Sequence, residues 1–343
     1  MAKRLVVFNH KGGVSKTTSA YNIGWMMSKS SKVLLVDADP QCNLSGLILG
    51  DDFERYYIEK TTRKQNIKDG VAPAFSGKPT PIEAVDCVSP KRAPNLYLLA
   101  GHANLSEYDA SLTFAQTSNN ALSVMQNLPG AFARLMELTE EKYNIDYTII
   151  DLNPGLSAIN QNLFISSDAF IVPTNPDPFS LMALDTLKVI LPRWVNWKLD
   201  SKELFEDSAY PLTGSVPKFL GSLVQRFNIR KGKAARPYQD NIDEINDRVS
   251  TDLVRSLRRS DMMLEHNQYP AKLIDNKFCL GQIPDFQGLL PKSYNAGVPV
   301  FALKNSEIRE SGPILNGLKE KREMFKEQFT EISAMIVEMM KHA

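Results

Sequence analysis

The stretch Lys11-Gly12-Gly13-Val14-Ser15-Lys16-Thr17-Thr18 decides how this chain is read. It follows the continuous apolar run Leu5 to Phe8 and opens a segment of helical character from Lys16 to about Lys29. Strand, glycine-bearing loop and helix in that order bring backbone N–H groups and a helix N-terminus, worth roughly half a positive charge, to one place. That place suits phosphate. Glycine lets the main chain curl there without side-chain bulk. Lys16 has the spacing to reach the β/γ end of a polyphosphate, and Thr17 the spacing to set its hydroxyl on Mg²⁺. A strict GxxxxGK[ST] pattern needs glycine at positions 10 and 15, where this chain has His10 and Ser15.

Working outward, Lys32 to Asp37 is a second buried strand that ends in a carboxylate, so the first segments form a βαβ unit. Leu96 to Leu99 is a third strand and Tyr147 to Asp151 a fourth, again ending in Asp. Ala169 to Val172, closed by Pro173, is a fifth. Phe219 to Gln225 and Phe278 to Gln282 are further strands. Ala121 to Lys142 has helical spacing, with a kink expected at Pro129-Gly130, and Phe179 to Trp194 is helical. Strands alternating with helices predict an α/β fold, a doubly wound and mostly parallel sheet flanked by helices. One domain over residues 1–343 is expected, elaborated at 51–93, 195–217 and 260–277, with a helical C-terminal segment at 305–343.

A chain of 343 residues buries a sizeable core without metal or disulfide staples. Its net charge of +1 sets up no global field for nucleic acid or membrane, so any such partner must be met by a local patch. Cys42, Cys87 and Cys279 are scattered and form no CxxC pair, which disfavours a disulfide framework, a zinc site or an iron–sulfur cluster. The early strand shows no signal-peptide pattern and no apolar run reaches membrane-spanning length, so a cytoplasmic protein is expected.

Lys11, ahead of the glycines, supplies what the strict pattern lacks. With it the segment resembles the deviant Walker-A loop of the ParA/MinD superfamily, the SIMIBI-class ATPases. Asp37-Ala-Asp39-Pro-Gln-Cys-Asn43 is similar to that family's second signature, and Asp151-Leu-Asn-Pro-Gly155 to its Walker-B strand end. Val172 to Ser180, Gly281 to Asp285 and Asn295 to Val300 resemble its later landmarks. The resemblance implies ATP and Mg²⁺, with the loop Lys11 to Thr18 and the Gly155 backbone around the phosphates. It implies Lys16 on the β/γ-phosphates, Thr17, Asp37 and Asp151 around the metal, and Asp39 positioning the attacking water. Lys11 would act on the nucleotide of a second copy. Pro284 and Asp285 would lie near the base. Two local readings stay open: Asp39 as a helix N-cap ahead of Pro40, and Asp146 as a rival to Asp151. Ligands of such sheets sit at the strands' carboxyl ends, which favours Asp151.

Within that superfamily, the stretch between Asp207 and Asp240 argues for ParA-like partition proteins. It has no acidic residue but carries Lys218, Arg226, Arg230, Lys231, Lys233 and Arg236, with Arg255, Arg258 and Arg259 following. Such residues bind DNA phosphates without sequence preference. Arg226, Arg230, Lys231, Lys233 and Arg236 are the expected DNA surface, and a solvated basic loop is the plain alternative. The resemblance further implies an ATP-dependent homodimer and an activator of the ParB kind. MinD-like membrane positioning is the rival. The tail's apolar stripe (Phe325, Phe329, Ile332, Met335, Ile336, Met339) is opposed by Glu323, Glu327, Glu331 and Glu338, which anionic lipid repels, so membrane binding is not expected. A metabolic ATPase of the same superfamily is the third reading.

Overall fold

Residues 1–117, 123–212, 214–230, 233–234 and 236–343 are described by a computed structural model. Seven strands form one sheet: β1 (Lys3–Val7), β2 (Val33–Ala38), β3 (Leu96–Leu99), β4 (Tyr147–Leu152), β5 (Ala169–Thr174), β6 (Lys218–Gln225) and β9 (Cys279–Ile283). A two-stranded antiparallel hairpin, β7 (Ile229–Arg230) with β8 (Lys233–Ala234), lies outside it. The spatial order is β3-β2-β4-β1-β5-β6-β9 and every pair is parallel. Strands covered on both faces read as unbroken apolar runs, and β2 is buried at all six positions.

This order places the site. β1 is central, and β4 is inserted between β1 and β2. Asp37 is in register with Asp151, and Asp151 with Val7, so two strand-end carboxylates share one row beneath the loop that leaves β1. Neighbouring strands lie about 4.8 Å apart.

β5 runs through Pro173 to Thr174 instead of stopping at Val172. The Pro173 carbonyl accepts from Asn9 Nδ2 at 2.8 Å, on the side where β1 has already ended. The missing N–H faces that same side, so the proline costs the ladder nothing. Pro129 starts the helix Leu128–Tyr143 instead of kinking a longer one, as first-turn prolines do. Ala121 and Leu122 of the expected helix lie outside the described residues. The helix Pro178–Ser201 is about two turns longer than its sequence pattern and contains Pro192. Proline removes the bond to the carbonyl four residues back; the Lys188 carbonyl accepts the Ser256 hydroxyl at 2.5 Å instead.

The segment 51–93 pads the sheet edge at β3. It holds the helices Phe53–Ile58 and Ile67–Phe75, and bridges at Val88–Leu98 and Asn66–Ala100 tie it down. The C-terminal helix Gly312–Met340 packs on the helix Lys16–Met27 and on β9. Phe325, Phe329, Ile332, Ile336 and Met339 are buried in that contact, so the tail's apolar stripe is core. Among the described residues no helix is long and apolar enough to cross a membrane.

Candidate functional site

The loop after β1 is held from below. Phe8 N–H donates to Ile171 O, and Lys11 N–H to Asn9 Oδ1 at 3.0 Å. Gly13 has φ +72° and Ser15 φ +62°, so two left-handed turns lift the loop before the helix begins at Lys16. No side chain caps that helix and its first turn carries no acid. Its first N–H groups are left for an anion.

Lys16 is buried, and its ammonium donates to the Asn9 and Lys11 carbonyls at 2.9 and 3.0 Å. Burial lowers its pKa to about 8, against the pull of Asp151 and Asp39. Asp151 is fully enclosed. Burial raises its carboxyl well above the usual range, the Asp37 charge adds to this, and the neighbouring Thr17 hydroxyl opposes it. Neither Asp151 oxygen has a hydrogen-bond partner of acceptable distance and angle among the described residues. An orphaned carboxylate at the floor of a phosphate loop, beside a threonine hydroxyl, fits a hard divalent cation.

Asp37 is engaged differently. Its Oδ2 accepts from Ser45 N–H and Oγ at 2.8 and 2.7 Å, and its Oδ1 from Asp39 N–H at 3.2 Å. Burial raises this carboxyl to about 6. Asp37 therefore shapes the loop that carries Asp39. The N-cap reading of Asp39 does not describe that loop: the following helix starts at Asn43 with Cys42 as its cap, and Asp39 Oδ1 accepts from Gln41 N–H at 2.9 Å. Asp146, at the other end of β4, receives Lys32 N–H and lies away from the loop. Gly155, at φ +123°, donates its N–H to the His10 carbonyl at 3.0 Å.

A cavity of about 990 Å³ runs from Gly12, Gly13, Val14, Ser15, Lys16, Thr17 and Thr18 past Asp39 to Pro284 and Asp285. The sheet thus brings the phosphate loop and the expected base-side residues to one cavity. Three further lining residues escaped sequence reading. Gln225 donates to Ser19 Oγ at 2.5 Å, Tyr21 to the Gly297 carbonyl, and Phe286 lines the cavity beside Asp285. Their partners are distant in the chain, so no local pattern signals them.

Arg226 departs from the expected DNA set. It turns left-handed at the end of β6 (φ +61°), and its Nη1 donates to the Gly13 carbonyl at 3.2 Å. That conformation aims the guanidinium at the phosphate loop. Lys218 is paired with Asp261 at 3.1 Å. Arg230 and Lys233 belong to the hairpin, Lys231 lies outside the described residues, and Arg236 is exposed at the start of the helix Arg236–Arg248. Arg255, Arg258 and Arg259 are exposed on the continuation of that rod. Arg255 stands roughly 28 Å along the axis from Arg236, so Arg255, Arg258 and Arg259 stand apart from Arg236. Lys11 does not line the cavity; its ammonium meets Asp177.

A parallel sheet with an uncapped helix N-terminus, a buried lysine and an orphaned carboxylate at the carboxyl end of its central strands defines a P-loop nucleotide-binding protein. Residues 2–196 match the family model described as AAA domain, and the chain belongs to that family. Its place is in the ParA/MinD-type P-loop superfamily. It is 29% identical over 231 residues to an uncharacterized protein of Mycobacterium tuberculosis, covering 66% of this chain and 64% of that one. It is 30% identical over 194 residues to the chromosome partitioning protein ParA of Caulobacter vibrioides, covering 55% of this chain and 62% of that one. The chain thus spans less than two thirds of the length of these relatives. Among solved structures, pNOB8 ParA bound to nonspecific DNA has the same fold, with TM-score 0.56, 16% identity and 99% of both chains covered.

Proposed function

We propose that this protein is a ParA-like ATPase. It forms a homodimer on ATP, binds DNA without sequence preference, and positions DNA or another cargo until a partner protein of the ParB kind stimulates hydrolysis. The observation that carries the ATPase reading is the set Lys16, Thr17, Asp39 and Asp151 gathered at the uncapped helix N-terminus. The N–H groups of Gly12 to Thr18 bind the phosphates, and Lys16 exchanges its two carbonyl partners for β/γ-oxygens. Thr17 and Asp151, backed by Asp37, would hold Mg²⁺, which neutralises phosphate charge when bound. Asp39 orients a water toward the γ-phosphorus; the β–γ bridging P–O bond breaks, leaving ADP and phosphate. Lys11 of a second copy adds positive charge where the transferring group accumulates negative charge. Pro284 and Asp285 border the base.

The DNA reading rests on Arg230, Lys231, Lys233 and Arg236, on the partitioning role named for the Caulobacter relative, and on the fold shared with a DNA-bound ParA. Arg226 leaves this set for the nucleotide cavity. A cytoplasmic, nucleoid-associated protein follows. The burial of the tail's apolar stripe speaks against a membrane-positioning role.

Calorimetric titration and light scattering test the ATPase reading together. Lys16→Ala should abolish ATP binding. Asp39→Ala should keep ATP affinity, slow hydrolysis and accumulate dimers. Unchanged ATP affinity in the first variant, or a monomeric second variant with ATP bound, sinks the assignment.

A further inference from the structure

The dimeric reading depends on Lys11, and the ammonium of Lys11 is already engaged within its own chain. It donates to Asp177 Oδ2 at 2.6 Å and to Ser180 Oγ at 3.3 Å. Asp177 uses its other oxygen as a helix cap: Oδ1 accepts from Ser180 N–H at 2.9 Å at the start of Pro178–Ser201. The same turn grips the phosphate loop a second time, because Asn175 Nδ2 donates to the Gly13 carbonyl at 2.9 Å. The reason is topological. β5 outruns β1 by several residues, so the turn that follows it folds over the loop that leaves β1. Both side chains of the ion pair are partly shielded, at 20% and 31% exposure. Two of the three ammonium donors are used in these contacts, so a neighbouring molecule's phosphates must compete with Asp177 for the lysine.

We propose that Asp177 is the resting counter-ion of Lys11, a positioning residue that restrains the lysine in cis and so sets the ATP concentration at which two copies join. This inference rests on the reading that Lys11 acts on a second copy. The restraint makes assembly a competition. The nucleotide of the second copy must displace one carboxylate from each lysine, so the ATP midpoint of joining is raised.

Asp177→Asn separates the two duties of the residue. Asparagine caps a helix as well as aspartate does, so the fold is kept, while the charge that holds Lys11 is gone. The ATP midpoint of dimerisation, read by light scattering on the full chain, should fall by roughly two- to fivefold, the range of a partly exposed ion pair. ATP affinity of the monomer should not move. In a Lys11→Ala background the Asp177→Asn change should have no effect on self-association. A second readout needs no dimer. In the nucleotide-free chain, amine labelling of Lys11 with acetic anhydride, followed by mass spectrometry, should be slower in the native protein than in Asp177→Asn. An unchanged or raised midpoint, or equal labelling, overturns the restraint. If the native chain never dimerises on ATP, the dimeric reading has failed on its own account, and the labelling still decides whether Asp177 holds Lys11.

Discussion

Ser15 shows how a single position carries both legible and hidden information. Its identity, where the loop pattern wants glycine, is plain in the sequence. Its cost is visible only in the left-handed backbone it adopts, φ +62° and ψ +35°. An L-residue there costs about 1 kcal/mol relative to glycine, while glycine gives part of that back through a freer unfolded chain. Ser15→Gly should therefore raise the melting temperature by about 1–2 °C, given the scale for chains of this size. Nucleotide affinity should hold, because the backbone N–H remains. A differential scanning trace shows the shift, and a lower melting temperature would mean that Ser15 makes a contact worth more than its strain. At this scale the phosphate-loop residues were readable because their roles are local. Asp177 and Gln225 were not, because each meets the loop or its helix from far along the chain.

Among the elements, the helix Pro178–Ser201 holds a buried lysine that no active-site argument uses. Lys198 donates to the Ile165 and Ser215 carbonyls at 2.6 and 2.8 Å, stitching the helix to two other segments. Burial lowers its pKa to about 8, although Asp168 pulls the other way. Unfolded, the lysine titrates near 10.4. Between those values the unfolded chain binds the extra proton, so native stability rises with pH through the window. Below about pH 8 the full cost of burying the charge is present. Urea unfolding of the native chain and of Lys198→Met, compared from pH 7 to 10, should show the difference moving toward the native chain by about 1 kcal/mol per unit above pH 8. A difference that is flat with pH would mean that Lys198 keeps its charge throughout. The strand cores were legible from their apolar runs, but their ends were not. Whether Pro173 stops β5 depends on whether β1 is still beside it, and β1 has ended there.

For the whole molecule, the proposed DNA contact joins the phosphate loop to a surface outside the sheet. In the proposed dimer, two copies held by ATP would present two weak basic surfaces at high effective concentration. DNA binding should therefore require ATP and be lost in Lys11→Ala, which leaves the basic hairpin untouched. Fluorescence anisotropy on two unrelated duplexes should give a log-affinity against log-salt slope of roughly −0.9 per phosphate contact. Charge reversal at Arg230 and Arg236 should weaken both duplexes equally, since phosphate contacts carry no base information. Salt-insensitive binding, or full binding by the reversed chain, would move the DNA surface elsewhere.

By itself the sequence determined the class of this protein. A phosphate loop is a contiguous device, so Lys11 to Thr18, the two strand-end carboxylates and the alternation of strands with helices can all be read along the chain. Only the tertiary structure decided which of these groups meet. Strand order put Asp37 and Asp151 in one row, left Asp151 without a partner, and gave Asp37 to Ser45. A left-handed turn carried Arg226 from the basic stretch to the phosphate loop, and the overrun of β5 set Asp177 against Lys11. The physical reason is that a side chain's partner depends on register and chain direction at strand ends, where most of these contacts span a hundred residues or more and no local spacing records them.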